Sequence, residues 1–145
     1  MKEKISLSQA AKLTSQNPVT IICTEKPDGK NNLATVSWWT YLSYRPEMIG
    51  YVMSKVSYNS ERICDNKKVI LSIPGSAISE EVQLCWSCTV RDTDKIEKFG
   101  IEMQQIPSSS IKVPRHSCVA IQCILKEFID VGDHYLYICN VEHVY

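Results

Sequence analysis

Residues 32–46 read NLATVSWWTYLSYRP, with Thr35, Ser37, Thr40 and Ser43 interleaved among two tryptophans and two tyrosines. An ordinary core strand has little use for that mixture. Aromatic faces beside hydroxyls and backbone donors are what a planar heteroaromatic ring with polar edges needs. The stretch is read as a strand over Asn32–Trp38, with Leu33 facing opposite to Ala34 and Val36 across the pleat, and then a loop that Pro46 closes.

Working outward, Val19–Thr24 (VTIICT) is β-branched and apolar, and Lys26-Pro27-Asp28-Gly29-Lys30 supplies turn residues, so a strand, a turn and a second strand are expected. Met48–Met53 reads as a third strand. Tyr58–Asn66 reads as a short helix with Ser57 at its N-cap, and Val69–Ile73 as a strand that Pro74-Gly75 ends. Ser79-Glu80-Glu81 opens a second helix with acids in its first turn, and Asp94–Phe99 forms a third that Gly100 terminates. Residues 101–116 look irregular. Cys118–Ile129 and His134–Tyr145 both alternate and are joined by Val131-Gly132-Asp133 as a long hairpin. Six strands and two or three short helices, undivided by a linker or repeat, predict a small antiparallel barrel with helices packed outside, in a single domain over residues 1–145.

Composition narrows the function classes. The chain has 145 residues, and 16 basic side chains balance 16 acidic ones. No net field draws it to nucleic acid or to an anionic membrane, so any bound anion must be met locally. No apolar run approaches a membrane span, and the opening MKEKISLSQAAKL is too polar for a signal-peptide core, so a soluble, cytoplasmic protein is expected. The seven cysteines are odd in number and are read as mostly buried, reduced thiols.

Five glycines form neither a GxGxxG nor a GxxxxGK pattern, which argues against a Rossmann or P-loop nucleotide site. A phosphate could still meet the hydroxyls and cation of MSKVSYNSER, where Ser54, Lys55, Ser57, Tyr58, Asn59 and Ser60 precede or open a helix; a solvated strand end with an ordinary cap is the plainer alternative. Cys85 and Cys88 (CWSC) have metal or redox spacing, and His116 and Cys118 would complete a zinc set. No second CxxC exists, and core packing of those thiols is the reading taken. There is neither a Gly-x-Ser-x-Gly nor an HExxH, so hydrolase readings lack a starting point. His134, beside the last hairpin turn, has a polar tip that could reach a cleft.

Taken in order, these segments resemble the flavin reductase-like family of FMN-binding split barrels, which includes the flavoredoxins. The resemblance is carried by Asn17-Pro18-Val19-Thr20, Asp28-Gly29, NLATVSWWTYLSYRPEMIGYVM, SYNSERICDNKKVILSIPG, TDKIEKFGI and VGDHYLYICNV. It implies a mainly β fold: a six-stranded antiparallel split β-barrel with Greek-key connections and short flanking helices. It also implies a homodimer that binds FMN at its interface. Asn32, Thr35, Val36, Ser37, Trp38 and Trp39 would line the isoalloxazine, partly through backbone groups. Ser54, Lys55, Ser57, Tyr58 and Asn59 would lie near the ribityl phosphate. Lys95 would reach the flavin or its phosphate, and His134 would be the catalytic residue near the nicotinamide or flavin edge. The implied activity passes electrons from NAD(P)H through FMN to an acceptor. The alternative is a flavoredoxin-type carrier that trades electrons with a redox partner protein. This chain departs from the family's pattern at Ser87-Cys88 and at Cys139, where relatives carry glycine and where added volume is expected near the ring or a partner backbone.

Overall fold

The computed structural model describes Ser6, residues 18–87 and residues 93–145. The amphipathic opening segment and Cys88 lie outside these. In chain order the elements are β1 (Thr20–Glu25), β2 (Asn31–Val36), β3 (Trp39–Tyr44), β4 (Glu47–Ser54), α1 (Tyr58–Asn66) and β5 (Lys68–Pro74). A 3₁₀ turn at Ser76–Ile78 then leads to α2 (Ser79–Ser87), α3 (Lys95–Phe99), β6 (Met103–Gln104), β7 (Val113–Pro114), β8 (Ser117–Asp130) and β9 (His134–Val144).

Seven strands form one antiparallel sheet in the order β2-β1-β5-β8-β9-β4-β3. The seventh is β3, expected above as a loop. The aromatic stretch is two strands broken at Ser37-Trp38, because Trp39–Tyr44 finds a ladder partner in β4, from Trp39↔Tyr51 to Tyr44↔Glu47. That break closes the fold. In a flat sheet the two terminal strands β2 and β3 would stand roughly 29 Å apart, six spacings of about 4.8 Å. Ser37 and Trp38 alone connect them, and three extended backbone steps reach only about 11 Å. The sheet must therefore curl until β2 and β3 come together at the crossover, with their edges left unpaired, and a bond of 2.8 Å from Val52 N–H to Trp38 O ties the crossover to β4.

Alternation then sorts the side chains into two cores. Ile22, Val36, Trp39, Tyr51, Leu71 and Tyr137 fill the barrel, and Ile63 of α1 packs with them. Their sequence neighbours Ile21, Cys23 and Leu33 face outward and bury against Val82 and Cys85 of α2 and against Ile101, Ile106 and Ile111 of the following segment. Leu33 thus faces opposite to Val36, as the pleat requires. Cys139 corrects one expectation. It lies fully buried among the barrel-core side chains, so its added volume fills the core and does not project toward a ring or a partner.

Local chemistry sets the ends of the helices. Ser57 occupies the N-cap of α1 in extended conformation, and Lys67 ends it in the left-handed region at φ 59° with its N–H on Ile63 O. Asp94 caps α3, its carboxylate accepting from Ile96 N–H (3.1 Å) and Glu97 N–H (3.3 Å), and Gly100 at φ 62° closes it. Gly50 has a packing reason. The β3 bulge at Leu42 lays that side chain over Gly50, where a Cβ would come within 2.9 Å of Leu42 Cδ1.

Candidate functional site

The β4–β9 register places Ser54 opposite His134, so the chain leaving β4 runs directly past the β8–β9 turn. A bond of 3.1 Å from Lys55 N–H to Asp133 O fixes the two segments together. The Lys55 ammonium sits 2.6 Å from Asp130 Oδ2 and 5.0 Å from the centre of the Tyr135 ring. His134 Nδ1 is 2.6 Å from Asp133 Oδ1, and its ring lies over Trp38 with centroids 5.3 Å apart. An ionised carboxylate only accepts, so Nδ1 carries the proton and Nε2 is the ring nitrogen left to exchange one. The bond from Lys55 holds the Asp130 carboxyl below its usual range, and the bond from His134 does the same for Asp133. Trp38 is 50% exposed, which leaves one broad apolar face open to solvent at this place.

The turn into α1 adds polar groups. Ser57 N–H donates to Ser54 O (3.0 Å), and Ser60 returns to the same carbonyl through its hydroxyl (2.8 Å). The Ser57 hydroxyl makes no capping bond, so it remains available beside the first amides of α1. Tyr58 lies beneath the Arg62 guanidinium at 5.1 Å.

Of the residues selected from the sequence, Trp38, Ser54, Lys55, Ser57, Tyr58 and His134 are brought together around this turn. Others carry scaffold contacts. Asn32 and Asn59 are buried, and Asn59 Oδ1 accepts from Asn32 Nδ2 (2.6 Å) and from the Thr24 hydroxyl, pinning the first turn of α1 to β1 and β2. Val36 and Trp39 lie in the barrel core, with Trp39 Nε1 donating to Pro18 O (2.7 Å). Thr35 Oγ1 donates to Val82 O (3.1 Å) and the buried Lys95 Nζ to Cys85 O (2.6 Å), so both hold α2 in place. Ser37 is half-buried at the crossover. In the sheet β2 pairs only with β1, so among the described residues alternate backbone N–H and C=O groups along its outer edge have no ladder partner.

Asp130, Asp133 and Tyr135 escaped the sequence reading. They come to Lys55 only through the β4–β9 pairing, across a separation of some 75 residues in the case of Asp130; the Val131-Gly132-Asp133 turn was the one local signal. The candidate zinc set is divided: Cys85 is buried on the inner side of α2, His116 and Cys118 are exposed, and Cys88 lies outside the described residues. Among the described residues no three of the His, Cys, Asp and Glu side chains cluster as a metal site requires. A cleft of about 360 Å³, lined by Lys68, Ser108–Ser110, Gln122, Glu142 and His143, lies at the far end of β9. Nine residues of strand, roughly 30 Å, separate His143 from His134.

The fold and this mouth define a class: a small antiparallel barrel with an exposed indole tilted against a partly buried imidazole, beside a lysine and a helix N-terminus. The chain belongs to the flavin reductase like domain family, whose model matches residues 14–145. An uncharacterized protein of Archaeoglobus fulgidus is 24% identical over 117 residues, which cover 79% of this chain. The chain spans 65% of the length of that relative. Among solved structures, the FMN-binding protein of Thermus thermophilus with bound p-hydroxybenzaldehyde is similar at a TM-score of 0.80 and 18% identity, covering 89% of this chain and 71% of that one. Flavoredoxin from Methanosarcina acetivorans is similar at 0.82 and 19% identity, covering 100% and 75%. Among the described residues no helix is long and apolar enough to cross a membrane.

Proposed function

We propose that the chain binds FMN at the Trp38–His134 mouth and works as a flavin-dependent reductase, taking electrons from NAD(P)H and passing them to an acceptor. The observation that carries the reading is the half-exposed Trp38 indole in tilted ring contact with His134, with Lys55 and the uncapped start of α1 beside it, in a chain of the flavin reductase like family.

The donor set fits the cofactor. Trp38 offers a planar apolar face, and the open edge of β2 offers backbone donors and acceptors suited to the polar rim of an isoalloxazine. Lys55, the Ser54 and Ser57 hydroxyls and the first amides of α1 suit a phosphate in a protein without net charge. Bound FMN would supply the hydride and electron chemistry. The chain's own groups bind and orient it, and His134 would hold or release a proton at Nε2 while Asp133 fixes the ring.

A homodimer is part of the proposal. Close to the Trp38–His134 pair, Val131, whose N–H bonds His134 O, and Val56, next to Lys55, are both exposed, an apolar patch that a second copy would cover. The reading is tested by titrating the purified protein with FMN and then with NADH and NADPH under anaerobic conditions, with light scattering for mass. Flavin bands that bleach with either nicotinamide, in a dimer, are expected. Bound FMN that neither nicotinamide reduces would make the protein a flavoredoxin-type carrier, and protein that FMN never saturates would refute the site.

A further inference from the structure

Lys55 is the cation best placed at this mouth for an anionic ligand, yet it is already engaged. Its ammonium is 2.6 Å from Asp130 Oδ2 and is seated over the Tyr135 ring. Asp130 is held in that position from its other oxygen, since Gly132 N–H donates to Asp130 Oδ1 at 3.2 Å. Asp133, the next carboxylate of the same turn, adds negative charge beside Lys55, whose own N–H binds Asp133 O. The pair is neither buried nor free: the Lys55 side chain is 30% exposed and that of Asp130 66% exposed.

An ammonium on a flexible stem has three donors and moves between acceptors at little cost. A ligand phosphate reaching Lys55 must take it from Asp130 or share it, and must bring its own charge close to two carboxylates. A neutral ribityl alcohol meets neither opposition. Resting on the flavin reading above, we propose that Asp130 is a specificity-determining residue: by competing for Lys55 it weakens the hold on a phosphorylated ligand while leaving an unphosphorylated one unaffected. The consequence for the protein is a flavin that exchanges, as a reductase supplying free flavin needs, and not one fixed in place as in a dedicated carrier.

The test compares the wild-type protein with Asp130→Asn, Lys55→Met and the double variant, each titrated with FMN and with riboflavin by flavin fluorescence. Asparagine keeps the Oδ1 acceptor for Gly132 N–H, so the turn is preserved while the charge is removed. An exposed ion pair implies that Asp130→Asn tightens FMN by about two- to five-fold. Riboflavin affinity is expected to stay unchanged, and the gain should disappear in the Lys55→Met background. Equal tightening of both flavins, no change for either, or a gain that persists without Lys55 would each overturn the competition. In those cases wild-type FMN binding still stands, and only the role of Asp130 falls. Failure of the wild-type protein and all variants to bind either flavin would refute the flavin site itself, and this inference with it.

Discussion

Replacing Asn59 with alanine tests the contact that fixes the mouth to the barrel. Asn59 is 2% exposed, and its Oδ1 accepts from Asn32 Nδ2, itself 1% exposed, and from the wholly buried Thr24 hydroxyl. Alanine strands both donors in a dry interior. Each stranded donor costs about 1–3 kcal/mol, but the weak 3.5 Å approach of Asn32 Nδ2 to Thr24 Oγ1 offers partial relief and the change also removes Asn59 Nδ2, which has no partner among the described residues, so a loss of about 2–3 kcal/mol is expected. For a chain of this size that is a fall in melting temperature of roughly 5–15 °C. The companion Asn32→Ala leaves Thr24 paired with Asn59. It also removes Asn32 Oδ1, which has no partner among the described residues, and so should cost only about 1 kcal/mol. The double variant should lose less than the sum of the two, because the groups share one network. Urea unfolding followed by circular dichroism, with constant m-values, reads all three. An Asn59→Ala midpoint indistinguishable from wild type, or a larger loss for Asn32→Ala, would refute this account of how α1 is anchored. Because Ser57 caps this helix and Lys55 lies in the turn leading into it, FMN affinity should fall with Asn59→Ala even below the unfolding transition.

Three further outcomes are expected. Trp38→Asp should weaken FMN binding about ten-fold or more while the circular dichroism spectrum stays native, since half of that indole is already in solvent; undiminished binding would remove Trp38 from the site. Burial pushes the Cys139 thiol and the Tyr137 phenol both up to about 12. The unfolded chain therefore releases these protons first, and the stability they contribute is fully present below about pH 8.5 and lost as pH rises toward about 12; urea midpoints flat between pH 8 and 11 would contradict it. Cys118 is exposed whereas Cys23, Cys85, Cys123 and Cys139 are buried, so Cys118→Ser should lower by one the number of thiols that react with a disulfide reagent in native protein. An unchanged count would place Cys118 out of reach.

Much of the fold was legible because the signals were local. The alternation in VAIQCILKEFI and YLYICNVEHV, the Asp28-Gly29 turn, Asp94 before α3 and Gly100 after it each act within a few residues, and each appears where the pattern placed it. The helix over Tyr58–Asn66 was bounded correctly, although its N-cap Ser57 turned out to keep a free hydroxyl. The exception was β3. Thr40, Tyr41, Leu42 and Tyr44 are all exposed, so no inward-facing apolar set marked the segment as a strand, and only the ladder offered by β4 makes it one.

What the sequence by itself determined is the set of elements and the chemistry available to them: short-period alternation, caps and turns depend on neighbouring residues, and the family motifs lie along the chain in plain order. The tertiary structure decided which of the polar residues meet. Curling the sheet brought Trp38 to His134, and pairing β4 with β9 brought Lys55 to Asp130, while burial turned Asn32, Asn59, Thr35 and Lys95 toward scaffold contacts. Those choices depend on register across distant strands and on which face of each element is dry, and neither quantity is written in any local stretch of residues.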